Sequence, residues 1–196
     1  MERKTARISK EPEVRKQEIL DTAMLVFMEK GYEAATMRDI AAAMNVVPGL
    51  CYRYFESKQV LYDTAIEQYV KDITLPMIEL LKEKDGSLDG FLDKMEQLFL
   101  QSDGREKYHH FFHKKENHGL QMLMSVKLCE TIEPYMQEKL QEMNEMGITR
   151  VGNIPLTASY MLFGAVPVLE NDALSSAEKA AGIRMIMKRI LGPGIS

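Results

Sequence analysis

Thr36-Met37-Arg38-Asp39-Ile40-Ala41-Ala42-Ala43-Met44-Asn45-Val46-Val47-Pro48-Gly49-Leu50-Cys51-Tyr52-Arg53-Tyr54-Phe55-Glu56-Ser57-Lys58 holds the start and stop signals of two short helices joined by a tight turn. Thr36 with Asp39 three residues on reads as an N-cap with an acidic N3 partner, opening a helix through Ile40 to Met44. Met44-Asn45-Val46 makes the turn, because asparagine tolerates positive φ better than any residue but glycine. Pro48 suits the first position of the next helix, where a missing N–H costs nothing, and that helix runs to about Tyr54. Ser57 can then cap a long helix continuing past Tyr69.

On the N-terminal side, Ile19, Leu20, Ala23 and Phe27 share one face of a helix from about Val14 to Lys30. Gly31 stops it, with Tyr32 placed to pack back on Phe27 as in a Schellman cap. A helix over two short helices is the layout of a helix-turn-helix head. Its second short helix is slim enough for the major groove, and Pro48-Gly49-Leu50 are small enough to let backbone approach base edges.

Beyond the head, apolar residues keep the three-and-four spacing of helices, and no long alternating run rich in Val, Ile and Thr occurs. Pro76 is expected to kink or end the long helix. Asp85-Gly86-Ser87 is a turn before a helix with Phe91, Met95 and Phe99 at i, i+4 and i+8. Ser102-Asp103-Gly104 breaks that helix. Further helices are expected over residues 105–117, 120–146 with a break near Pro134, 155–170 and 176–191. The fold class is therefore all-α: a three-helix head followed by a larger bundle. Residues 1–13 form a basic arm, 14–58 the helix-turn-helix domain and 59–192 the second domain.

Composition narrows the function. With 45% apolar and 28% charged residues among 196, the chain can bury a sizeable core. A net charge of −4 argues against indiscriminate coating of nucleic acid. The charge is uneven: residues 1–61 hold 10 Lys/Arg against 9 Asp/Glu, and the remainder 15 against 20. Arg3, Lys4, Arg7, Lys10, Arg15 and Lys16 crowd the start, either as solvated chain or as a phosphate-contacting arm. No apolar run is long enough to span a bilayer and no secretory h-region is present, so a cytoplasmic protein with no membrane partner is expected. Cys51 and Cys129 are far apart without a Cys-x-x-Cys, which suggests two reduced thiols rather than a disulfide or zinc site. No cofactor is expected.

Ile19-Leu20-Asp21-Thr22-Ala23, Phe27, Gly31-Tyr32, Thr36, Ile40-Ala41, Gly49, Tyr52, Tyr54-Phe55, Ser57-Lys58 and Leu61 together resemble the tetracycline-repressor (TetR) family of bacterial regulators. The resemblance covers about residues 14–62, and Tyr-x-Tyr-Phe-x-Ser-Lys ahead of a long helix is its most specific part. It implies that Thr36, Tyr52 and Lys58 contact phosphates, roles a hydroxyl, a phenol and an ammonium can fill. Thr36 can equally be only a cap, and Lys58 only a solvated charge. Arg38 and Arg53 carry guanidinium forks suited to guanine edges. Phe27, Ile40 and Phe55 belong to the head's core. Three positions depart from the family's habit: Asn45 replaces a turn glycine, Val47 replaces a capping Ser or Thr, and Cys51 replaces an aliphatic residue.

The same resemblance implies double-stranded operator DNA, a homodimer and a small-molecule effector as partners. Methionine repacks easily, and Met95, Met122, Met124 and Met136 interleave with aromatics, so a largely apolar effector is expected. Tyr69, Ile73, Phe91, Met95, Phe99, Phe112, Met122 and Val126 are the candidate lining. Leu156, Tyr160, Phe163 and Gly164, with Ile183, Met187 and Ile190, are the candidate dimer stripes on the last two helices. The effector would alter the separation of the two heads, with the long helix from Ser57 as lever. The rival reading is a metal-binding bundle or enzyme centred on His109, His110, His113 and His118. Against it, no Glu-x-x-His pairs, nucleophile motif or glycine-rich loop occur.

Overall fold

The computed structural model describes residues 11–102, 108 and 118–192, and among these it is built from α-helices without a strand. They are α1 (Pro12–Lys30), α2 (Met37–Ala43), α3 (Pro48–Tyr54), α4 (Lys58–Lys82), α5 (Leu88–Ser102), α6 (His118–Glu145), α7 (Ile154–Leu169) and α8 (Ser176–Leu191). The expected N-terminal arm up to Lys10, the expected helix over 105–117, Phe112 and most of the histidine cluster lie outside the described residues.

The chain divides into two compact units, Met1–Tyr69 and Val70–Ser196. The division falls inside α4, whereas the sequence placed it at the start of that helix.

In the first unit α1 buries Ile19, Leu20, Ala23, Met24, Val26 and Phe27, a stripe that returns every helical turn. These residues share the unit with Ile40 and Ala41 of α2, Cys51 of α3 and Leu61 of α4, all fully buried. Gly31 has φ 78 and ψ 155, a conformation open almost only to glycine. This is not the Schellman geometry expected there, although Tyr32 does reach Phe27, with ring centroids 5.8 Å apart. The Schellman motif closes α2 instead. Val46 N–H donates to the Ala41 carbonyl at 2.9 Å and Asn45 N–H to that of Ala42 at 3.0 Å. Asn45 accordingly sits at φ 54, so asparagine supplies the left-handed turn residue.

In the second unit Leu80, Leu81, Phe91, Leu92, Met136, Leu140, Met143, Ala158, Met161, Met187 and Leu191 form one core. Here α5 packs on α8 and α6 on α7. Pro76 and Pro134 lie inside α4 and α6; neither ends its helix, and the break expected near Pro134 is absent. Each removes one ladder bond, but buried residues on either side hold the helix: Thr74, Ile78 and Leu80 around Pro76, and Cys129 and Met136 around Pro134. The Thr74 hydroxyl also donates to the Val70 carbonyl at 2.9 Å. Among the described residues no helix is long and apolar enough to cross a membrane.

Candidate nucleic-acid interface and effector cavity

Two anchors fix α3. Cys51 and Phe55, one turn apart, are buried in the head, which turns Gly49, Tyr52 and Arg53 outward. Tyr52 is 53% exposed, and a Cβ on Gly49 would meet nothing within 4 Å, so internal packing does not require glycine there. Arg38 on α2 is exposed as well, and among the described residues neither its guanidinium nor that of Arg53 meets a carboxylate. Pro48 and Leu50 are half-buried at the first turn. Val47 takes the N-cap conformation, φ −75 and ψ 143, with no side chain to cap the helix. Val47→Ser is therefore expected to raise the head's stability by about 1 kcal/mol, read as a higher thermal midpoint. An unchanged midpoint would mean that α3's first N–H groups already have partners.

Thr36 and Asp39 form a reciprocal capping box on α2. The Thr36 hydroxyl accepts from Asp39 N–H and gives its own proton to Asp39 Oδ2 at 2.6 Å, so no hydroxyl proton is left for a phosphate. Lys30 donates to Asp39 at 2.6 Å, and this bond, helped by Thr36, holds the Asp39 carboxyl at about 2. Lys58 is neither a free charge nor wholly committed. Its ammonium donates to the carbonyls of Tyr32 at 2.7 Å and Glu33 at 3.2 Å and lies 4.3 Å from the centre of the Tyr32 ring. One of its three N–H donors remains for a phosphate.

The head thus presents on α3 an aromatic hydroxyl, the Arg53 guanidinium and the exposed Gly49, with Arg38 exposed on α2, and among the described residues neither guanidinium has a carboxylate partner. Residues 19–65, most of this unit, match the family model described as "Bacterial regulatory proteins, tetR family". Over these residues the chain is similar to the TetR family. Its relatives include the HTH-type transcriptional repressor KstR2 of Rhodococcus jostii, 37% identical over 59 residues, which are 30% of this chain and 29% of that protein. The regulator IcaR of Staphylococcus aureus, a negative transcriptional regulator of a biofilm operon, is 36% identical over 52 residues, 26% of this chain and 28% of that protein. The chain therefore spans less than a third of the length of these relatives.

Solved structures extend the likeness of fold. A TetR-family regulator from Mesorhizobium loti superposes with a TM-score of 0.69 at 18% identity, covering 94% of this chain and 100% of that one. FadR of Bacillus subtilis, solved with stearoyl-CoA, gives 0.59 at 20% identity, with 90% and 97% covered. All of these similar proteins are described as transcriptional regulators or repressors.

The second unit holds a partly open cavity of about 270 Å³ among α4, α5, α6, α7 and α8. Ile73, Met95 and Phe99 line it, as expected from the sequence, and Met136 joins them. The other candidates among the described residues do not. Phe91 is sealed in the core, Tyr69 is buried in the first unit, and Met122 and Val126 are exposed. On α6 the cavity stripe runs Ser125, Leu128, Cys129, Ile132, Met136; Val126 sits one position around from it, and Met122 lies past its end. Sequence reading also missed the polar lining, Glu96, Ser125, Glu170 and Arg184. A signal existed: Leu92, Met95, Glu96 and Phe99 follow i, i+3, i+4, i+7, so a carboxylate interrupts an apolar stripe.

The outer faces of α7 and α8 need one correction. Leu156 and Tyr160 are 65% and 68% exposed, Gly164 is exposed, and Phe163 is half-buried, as a dimer stripe requires. On α8, however, Met187 is buried and Ile183 lines the cavity, while Met185 and Ile186 face outward. The helix is rotated relative to the sequence assignment because Ala180, Met187 and Leu191 take the inward side; Ile190 is half-buried. Among the described residues no group of metal-ligating side chains assembles.

Proposed function

We propose that this protein is a homodimeric repressor that binds a palindromic operator through α3 and is released from it by a small, largely apolar effector bound in the second unit. The outward array on α3 carries the reading: Tyr52, Arg53 and the bare Gly49 stand on a face whose opposite side is locked into the core. Pro48, Gly49 and Leu50 would approach the bases, Arg38 and Arg53 would read guanine edges, and Tyr52 with the spare donor of Lys58 would hold phosphates. Thr36 serves chiefly as the cap. Two heads are needed because each reads a half-site, and the exposed stripes of α7 and α8 would pair them. α4 contributes residues to both units, so it is the natural lever between effector and head.

The test is selection of a binding site from random duplexes followed by titration of variants. Arg53→Ala is expected to relax preference at one base pair per half-site by about 1–3 kcal/mol. Tyr52→Phe should weaken all duplexes alike and flatten the salt dependence, because phosphate contacts carry no sequence information. If both variants keep wild-type affinity and preference while remaining folded, α3 is not the reading helix.

A further inference from the structure

The cavity's polar groups specify a ligand class more narrowly than its apolar walls do. Its charged lining residues are Glu96, Glu170 and Arg184. Arg184 is surrounded by acid: Nη2 stands 2.7 Å from Asp93, with Asp89 at 3.6 Å, and Nε is 3.6 Å from Glu96, while Nη1 is buried without a hydrogen-bond partner among the described residues. An anionic ligand reaching that guanidinium would meet three carboxylates around it.

Glu170 is in the opposite situation. Its carboxylate accepts from the Ser125 hydroxyl at 2.6 Å, and among the described residues it meets no cation. It caps the C-terminal end of α7, where the helix's last carbonyls add partial negative charge. Val166 and Leu169 from that same last turn line the cavity beside it. The thiol of Cys129 is also in the lining. Burial first, then Glu133, Glu130 and Glu170, push it up to about 11.

We infer that this cavity selects small organic cations, an apolar body carrying one ammonium-type charge, with Glu170 as the counter-charge and Ser125 holding its carboxylate in place. The inference rests on the reading of the second unit as an effector domain and narrows the effector from apolar to cationic. A carboxylate at the edge of an apolar cavity gains most from a partner that brings its own positive charge and an apolar remainder. At about 270 Å³ the cavity lies just below the usual range of ligand-site volumes, about 300–1,000 Å³, which favours a compact molecule.

Three probes sharing one phenylpropyl body test this by calorimetry on the full-length protein without DNA: phenylpropyl-trimethylammonium, phenylpropanol and phenylbutyrate. The ammonium is expected to bind at least about tenfold tighter than the alcohol, equivalent to about 1.4 kcal/mol, and the carboxylate more weakly than either. Glu170→Gln should remove the ammonium's advantage and leave the alcohol's affinity unchanged. Equal or tighter binding of the carboxylate, no binding of any probe, or a Glu170→Gln variant that weakens ammonium and alcohol alike overturns the inference. The ranking on the wild-type protein stands even if that variant fails to fold. Because no DNA is present, failure here leaves the DNA-binding role of α3 standing, and failure of operator binding leaves the probe ranking standing.

Discussion

Lys139→Ala is expected to destabilise the second unit by about 3–5 kcal/mol, measured by chemical denaturation. The Lys139 side chain is 0% exposed and its ammonium lies 2.9 Å from Asp85 Oδ2, itself 2% exposed, and 3.1 Å from Glu142. It also donates to the Glu83 carbonyl and stands 5.9 Å from the centre of the Phe91 ring. One buried ammonium therefore ties the turn between α4 and α5 to the middle of α6. Its removal leaves the Asp85 carboxylate buried with only Lys94, at 3.0 Å, as counter-charge. Burial alone would raise Asp85, but Lys139 and Lys94 outweigh it and hold the carboxyl below its usual value. Stability from the pair is accordingly present above the ordinary carboxylate range and fades as the pH falls through the depressed value. Lys139→Met with Asp85→Asn removes both charges and should recover much of the loss. A loss below about 1 kcal/mol for Lys139→Ala would mean that the pair is hydrated in solution.

Tyr160→Glu combined with Met185→Glu is expected to convert the proposed dimer to folded monomers and to lower operator affinity by about a hundredfold or more, since a lone head engages one half-site without the effective concentration of its twin. Both side chains are exposed, so the thermal midpoint should move little. Met187→Glu makes the contrast. Met187 is 6% exposed within its own unit, and a carboxylate there should unfold that unit rather than separate two copies. Sedimentation together with thermal melts separates the outcomes, and a double variant that remains dimeric would move the interface away from α7 and α8.

The head was legible in the sequence because its signals are local. Thr36 with Asp39, Asn45, Pro48 and Ser57 act within three or four residues of themselves, so the ends of α2 and α3 and the start of α4 follow from backbone chemistry. Asn45 illustrates this well: the need for positive φ exists before any tertiary contact forms. The break expected near Pro134 was misread for the converse reason. Pro76 and Pro134 carry a local penalty, and burial of their neighbours in a core assembled from distant segments overrides it.

Side-chain assignments in the second unit depended on tertiary structure for the same cause. Apolar periodicity establishes that α8 has an inward face, but Met185, Ile186 and Met187 are equally apolar, and only packing against α5 and α7 decides that Met187 turns in and its neighbours out. Phe91 and Met95 lie one turn apart on α5; the first fills the core beside Lys139 and the second opens on the cavity. The sequence by itself determined the helices, the head and the charge of each residue. Tertiary structure alone decided which charges meet, pairing Arg184 with Asp93 and Lys139 with Asp85 and, among the described residues, setting Glu170 against a hydroxyl, because ion pairing depends on distances that residues remote in the chain acquire only on folding.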